Sequence, residues 1–227
     1  PTDLVTDIDK NSEKLLKEGI NRNFPLDSII AEESKNDENN LSEYCWVIDP
    51  LDGTTNFVHN YPPFGISIGL LYKRNPVMGV VLELPSDNLF TAVRGLGAYC
   101  NKEILSISKN NSLIDSLLVT GFGYDKNKNW EMNLKHFKKF TYLTQGVRRS
   151  GAASIDLCYL AAGKVDGYWE YDLSPWDTAA GIVIAEEAGA KITNLNGDGF
   201  SINDDNLLAS NGLIHDEMIR VFKNSVT

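Results

Sequence analysis

The chain has 227 residues, 42% of them apolar and 23% charged, with a formal net charge of −10. That length can bury a sizeable core, as one large domain or two closely packed halves, and the acidic balance excludes nucleic acid as a main ligand, because phosphate backbones are met by basic surface. No run of about 18 apolar residues reads as a membrane span and no signal peptide is visible at the start, so a cytoplasmic protein with no membrane partner is expected.

Along the chain, Thr6 to Asn23 reads as a helix with Leu15, Leu16 and Ile20 on one side, stopped by Phe24-Pro25. Ser28 to Ala31 is a short strand that runs into Glu32-Glu33-Ser34, and Lys35 to Glu43 is a polar, solvated loop. Strands follow at Tyr44–Ile48, Phe64–Tyr72, Pro76–Leu84 and Asn88–Val93, separated by Asn, Gly and Pro turn signals. Such a series predicts an antiparallel sheet over residues 1–112. From 113 to 227 strand and helix alternate. Leu117–Thr120, Lys164–Tyr171 and Leu207–Ser210 read as strands, and Trp130–Leu143, Gly151–Ala162 and Pro175–Ala188 as helices. No repeat or linker divides the halves, so 1–227 is expected to be one domain.

The stretch WVIDPLDGTTN, from Trp46 to Asn56, is the most informative. Aspartate is a poor strand residue, and two of them at a strand end call for a reason. Pro50 bends the chain, so Asp49, Asp52 and the Leu51 carbonyl can face one point, an oxygen cage suited to a hard cation such as Mg²⁺. If a short helix starts at Gly53-Thr54-Thr55, its N–H groups can hold a phosphate oxygen beside that cation. An Asp-Pro turn with an aspartate cap is the plain alternative. Glu32-Glu33 ends one strand, Asp177 sits in the first turn of a helix, and Asp7 and Asp9 open the first helix. Capping explains each helical one singly, but together they fit one carboxylate site better. Cys45, Cys100 and Cys158 are odd in number, far apart and without a C-x-x-C pair, hence reduced thiols. His59, His136 and His215 have no partner pattern for catalysis. Arg148-Arg149 could attract an anion, pair with carboxylates or support a subunit contact. Asp125 to Asn129 begins like a calcium loop but has Trp130 and His136 where Gly and Glu are needed.

This pattern closely resembles the inositol monophosphatase family of Mg²⁺-dependent sugar and polyol phosphatases. Trp46 to Phe57 is similar to the family's first signature almost letter for letter, and Trp176-Asp-Thr-Ala-Ala-Gly181 with Glu186-Glu-Ala-Gly189 to its second. Ala31-Glu-Glu-Ser34 matches a Gly-Glu-Glu-Ser segment with Ala for Gly, and Leu4 to Asp9 matches the region before it. The stretches Gln145 to Gly151 and Tyr168 to Asp177 look most like the cyanobacterial and plastid-type members. Family members usually carry roughly forty more residues ahead of the position of Pro1, so the chain is expected to lack that part.

The resemblance implies an α+β fold, a layered αβαβα sandwich. It implies Glu32, Asp49, the Leu51 carbonyl, Asp52 and Asp177 as ligands of two or three Mg²⁺ ions, and phosphate held by the backbone of Gly53 and Thr54. Asp9 and Thr54 would be catalytic, orienting or deprotonating a metal-activated water. Asp52, Gly151, Ala152, Ala153, Glu170 and Asp177 would meet substrate. It further implies a homodimer, lithium sensitivity and a small phosphorylated polyol or sugar as substrate, first myo-inositol 1-phosphate. Galactose 1-phosphate, histidinol phosphate and fructose 1,6-bisphosphate are alternatives, as is a regulatory protein that binds the transcription machinery.

Overall fold

The structure is a computed structural model and describes residues 6–34 and 40–224. Residues 35–39 of the expected polar loop, and Leu4 and Val5, lie outside the described residues.

Helix α1 (Asp7–Asn23) starts from Thr6, whose side chain accepts the Ile8 and Asp9 N–H groups while the Asp9 carboxylate accepts the Thr6 N–H at 2.8 Å. This reciprocal cap satisfies donors that a helix start otherwise leaves open. Ile20 is buried against Ala31 and Ile48, with Leu16 beside it. Leu15, expected on the same side, is 70% exposed, because successive helix residues point about 100° apart.

The first sheet runs in chain order: β1 (Ser28–Ala31), β2 (Tyr44–Asp52), β3 (Gly65–Tyr72), β4 (Asn75–Glu83), β5 (Asn88–Val93), β6 (Ala98–Cys100) and β7 (Glu103–Ile104). Its neighbours are antiparallel except β1 and β2, which are parallel with Ala31 opposite Ile48. The all-antiparallel expectation is corrected there. The second sheet contains β8 (Leu117–Thr120), β9 (Gly146–Arg149), β10 (Gly167–Tyr171), β11 (Lys191–Thr193) and β12 (Asn206–Ser210), in the order β11-β12-β10-β8-β9. Within it β8 is parallel to both β9 and β10.

Five further helices are α2 (Thr54–Val58), α3 (Lys128–Leu143), α4 (Ala153–Ala161), α5 (Pro175–Glu187) and α6 (His215–Lys223). The layers run α1, first sheet, α4 with α5, second sheet, then α3 with α6. Helices α4 and α5 are apolar nearly all round and almost wholly buried, as a layer between two sheets requires. Gly79 lets α5 lie directly on β4, since a Cβ there would stand 2.2 Å from the Ala180 carbonyl oxygen. On the outer side of the second sheet Phe140, Trp169 and Phe222 pack ring on ring between α3, β10 and α6.

The short strands β6, β7, β9 and β11 and the terminal helix α6 are not among the elements read from the sequence. The strand expected from Lys164 starts at Gly167, and the helix expected from Gly151 starts at Ala153, because Gly151 has a φ of 89°, outside helical geometry.

Candidate active site

Strand β2 does not stop at Ile48 but continues through Asp52. Its register with β3 slips between Asp49, opposite Ser67, and Asp52, opposite Gly65. Both aspartates line one cavity of about 510 Å³ between the central helices and the two sheets. The Asp49 carboxylate accepts the Leu51 N–H at 3.0 Å. The Asp52 carboxylate accepts the Ser154 N–H at 2.8 Å and the Ser154 hydroxyl, which ties it to the start of α4.

The parallel pairing of β1 and β2 brings in the third carboxylate. The Glu32 N–H donates to the Ile48 carbonyl at 3.2 Å, so Glu32 leaves β1 beside Asp49, with which its side chain shares a hydrogen bond. The buried Glu13 of α1 holds the turn that follows, accepting the Glu33 N–H at 2.9 Å and the Ser34 hydroxyl. Asp177, in the first turn of α5, is the fourth, and its carboxylate accepts the Ser174 N–H at 2.6 Å.

Four carboxylates in one cleft raise one another's pKa and lose hydration. Burial chiefly, with Glu32 and Asp52 as like-charged neighbours, pushes Asp49 well above the usual range. Glu32 is exposed at the rim of the cleft, yet it is pushed up to about 8, mainly by desolvation of its carboxylate end, with the charges of Asp177, Glu33 and Asp52 adding to it. Burial takes Asp177 to about 7 and Asp52 to about 6, the latter against the opposing hydrogen bonds from Ser154. Among the described residues no lysine or arginine forms an ion pair with any of the four. Nor do any three histidine, cysteine or acidic side chains among them already stand in a metal-ion arrangement. Asp49, Asp52 and Asp177 are turned onto protein donors instead.

Gly53, with a φ of 85°, turns the chain from β2 into α2. The Thr54 hydroxyl lies 3.0 Å from the Asp9 carboxylate and 3.1 Å from the Leu51 carbonyl. Asn56 donates to the Pro63 carbonyl at 2.7 Å and the Ser150 carbonyl at 2.8 Å, which seats the segment Gly151-Ala152-Ala153 against the Gly53 turn. On the far wall Glu170 of β10 accepts the Tyr168 hydroxyl at 2.7 Å, and burial pushes its pKa up to about 8.

Glu32, Asp49, Leu51, Asp52, Gly53, Thr54, Gly151, Ala152, Ala153, Glu170 and Asp177 therefore line a single cavity. Asp9 is not part of its lining but reaches it through Thr54. His136 and His215 are buried and His59 is exposed, and none of the three lines it. Sequence reasoning missed Ser154, Phe122, Tyr124, Asn127, Asp172 and Trp176. The signals for that wall were Trp176 in the second signature and the stretch from Asp125 to Asn129, weighed only as a calcium loop. Arg149, one of two arginines weighed for anion attraction, also lines the cavity.

A model of the inositol monophosphatase family matches residues 1–227. The chain is 44% identical over 224 residues to the chloroplastic phosphatase IMPL1 of Arabidopsis thaliana, covering 96% of this chain and 60% of that protein. It is 47% identical over 216 residues to the inositol-1-monophosphatase of Synechocystis sp., covering 95% of this chain and 75% of that protein. The putative Nus factor SuhB of Neisseria meningitidis serogroup B is 37% identical over 99% of this chain and 86% of its own length. Among solved structures, the inositol monophosphatase of Anabaena (Nostoc) superposes with a TM-score of 0.92 at 48% identity, over 95% of this chain and 86% of that one. The chain thus spans less than two thirds of the plant relative's length.

Proposed function

The chain belongs to the inositol monophosphatase family, and from that premise we propose that it is a Mg²⁺-dependent phosphomonoesterase acting on a small polyol or sugar phosphate, first of all myo-inositol 1-phosphate. The observation that carries the reading is the placement of Glu32, Asp49, Asp52 and Asp177 in one cleft, without an ion pair to a lysine or arginine among the described residues, beside the Gly53-Thr54 turn. An all-oxygen donor set of this kind fits a hard divalent cation, and a neutralising cation accounts for carboxylates that burial otherwise leaves unfavourably charged. Glu32, Asp49, the Leu51 carbonyl, Asp52 and Asp177 would hold it. Divalent cations bound there would neutralise phosphate charge and make an attacking water easier to deprotonate.

The chain's own residues supply the remainder. The backbone of Gly53 and Thr54 would orient the phosphate at the start of α2. The Thr54 hydroxyl, backed by the buried Asp9 carboxylate, would align the water and pass on its proton. No cysteine or histidine nucleophile is called for. Glu170, with Gly151, Ala152 and Ala153, would meet the hydroxyl-bearing part of the substrate. Residues from both sheets build this cavity, so we read 1–227 as one catalytic unit. A homodimer, lithium sensitivity and a cytoplasmic setting complete the proposal. The last is supported by the free thiols of Cys45, Cys100 and Cys158, and no helix among the described residues is long and apolar enough to cross a membrane.

Similarity to a protein named as a Nus factor supports a second reading, a regulatory binding role. It makes no use of the carboxylate cluster. Phosphate release from inositol 1-phosphate, galactose 1-phosphate, histidinol phosphate and fructose 1,6-bisphosphate, with and without Mg²⁺, separates the two. Mg²⁺-dependent release from one or two of them is expected. Silence across the panel from folded protein would overturn the enzymatic reading.

A further inference from the structure

Just past the end of strand β10, two residues after Glu170, stands a residue with an unusual backbone. Asp172 has a φ of 59°, a left-handed conformation that residues other than glycine adopt rarely and keep when neighbours hold them there. Both oxygens of its side chain are engaged. The Asn129 amide donates to Oδ1 at 2.6 Å, and the Asn127 amide to Oδ2 at 3.0 Å. These two residues stand at the start of α3, where Asn127 is also the helix cap, accepting the Trp130 N–H at 2.9 Å.

Between β8 and α3 runs a short arm, residues 121–127, whose Gly121, Phe122, Tyr124 and Asn127 line the catalytic cavity. Its base is held by the Asn133 amide, which donates to the Gly121 carbonyl at 2.6 Å. Its middle is held by Phe122, packed on Trp130 and Phe137. Its far end meets Asp172: a Cβ on Gly123 would lie 3.3 Å from the Asp172 side chain, and Asn127 is hydrogen-bonded to it. Asp172, which itself lines the cavity, therefore joins the arm to the end of the strand that carries Glu170.

We propose that Asp172 is a positioning residue that clamps this arm and thereby sets affinity for the hydroxyl-bearing part of the substrate, leaving the hydrolytic step alone. The inference rests on the phosphomonoesterase reading. A clamped arm meets the polyol already ordered; a released arm must be ordered at binding, which weakens affinity. The phosphate end, built from Gly53 and Thr54 of α2, does not depend on the clamp.

Asp172→Gly separates the latch from the fold, because glycine takes a φ of 59° without strain and removes both hydrogen bonds. With the preferred substrate of the panel, KM is expected to rise about three- to tenfold, the scale of two charge-assisted hydrogen bonds partly exposed to water. The kcat should stay within about twofold and the inhibition constant of inorganic phosphate should not move, since neither depends on ordering the arm. Asn129→Ala should reproduce the KM effect in part. The double variant should be little worse than Asp172→Gly, because both act through one contact. An unchanged KM in Asp172→Gly, or a rise matched by loss of phosphate affinity or of kcat, overturns the proposal while the phosphatase reading stands. A wild-type chain silent on every phosphomonoester overturns both.

Discussion

The hydroxyl of Thr54 lies 3.0 Å from the carboxylate of Asp9, a residue 45 positions earlier in the first turn of α1. The Asp9 carboxylate is itself held by the Thr6 cap, so the start of α1 and the start of α2 are locked together at the cavity wall. If this pair aligns the attacking water, Thr54→Ala and Asp9→Asn should each lower kcat by about 10²- to 10⁴-fold. Thr54→Ser, which keeps the hydroxyl, should recover most of it. Steady-state kinetics on variants with unchanged circular dichroism decides this, and a loss below about tenfold in both would remove the pair from the catalytic machinery.

Asp49 offers a test in which activity and stability move in opposite directions. It is 2% exposed, beside Glu32 and close to Asp52 and Asp177. Asp49→Asn removes a buried ionisable group from a like-charged cluster, so without Mg²⁺ the variant should melt a few degrees higher than wild type, as relief of a strained functional site does. Its turnover should vanish, because a neutral amide cannot replace a charged ligand. Thermal melts in chelator alongside phosphate release check both halves. Near-normal turnover would sink the ligand assignment.

Glu170 should govern choice rather than speed. Its carboxylate fills the space a side chain at Gly121 would need, with a Cβ there only 2.0 Å from Oε1. Glu170→Gln is expected to change the ratio of kcat/KM between inositol 1-phosphate and galactose 1-phosphate by about tenfold, the value of one hydrogen bond to a charged group. Gly121→Ala, which must displace the same carboxylate, should shift that ratio as well. Equal loss on every substrate would mean that Glu170 serves the structure or the hydrolytic step.

The acidic cluster also fixes a pH dependence. Without a cation, Asp177 and Glu32 titrate near 7 and 8 in the folded chain, against about 4 when unfolded. Raised carboxylate pKa values contribute stability that is complete below the unfolded pKa and lost as pH climbs through the folded one. Between about pH 7 and pH 8.5, where buried His136 and His215 are uncharged with pKa values held near 4 by desolvation, the melting temperature in chelator should fall. Because cation binding requires deprotonated carboxylates, stabilisation by Mg²⁺ should grow over the same interval. Scanning calorimetry at several pH values, with and without Mg²⁺, reads both slopes. A flat metal-free profile would deny that these groups hold protons in the fold.

Much of this site was legible before the fold, for a physical reason. Aspartates at a strand end, a proline between them and a glycine turn after them are locally costly choices, and such choices stand out against any background of propensity. The long strands and central helices were legible too, because their apolar runs are long. The parallel pairing of β1 with β2 was not, since nothing in Ser28 to Ala31 specifies a partner's direction, yet that pairing is what sets Glu32 beside Asp49. The roles of Ser154 and Asp172 were hidden for a similar reason. Each acts through a hydrogen bond to a residue more than 40 positions away, and sequence periodicity carries no information about such contacts.

One consequence lies in the slipped register of β2. A strand alternates its side chains, so positions 49 and 52, an odd number apart, would ordinarily belong to opposite faces. Between them three steps on β2 are matched by two on β3, and that extra step reverses the parity and returns both carboxylates to one face. The site is thus encoded partly in a count rather than in residue identity. Pro50 and Leu51 matter here by their number: two residues between the aspartates would part them across a regular strand, and only the bulge that takes up the extra one keeps them on the same side of the sheet.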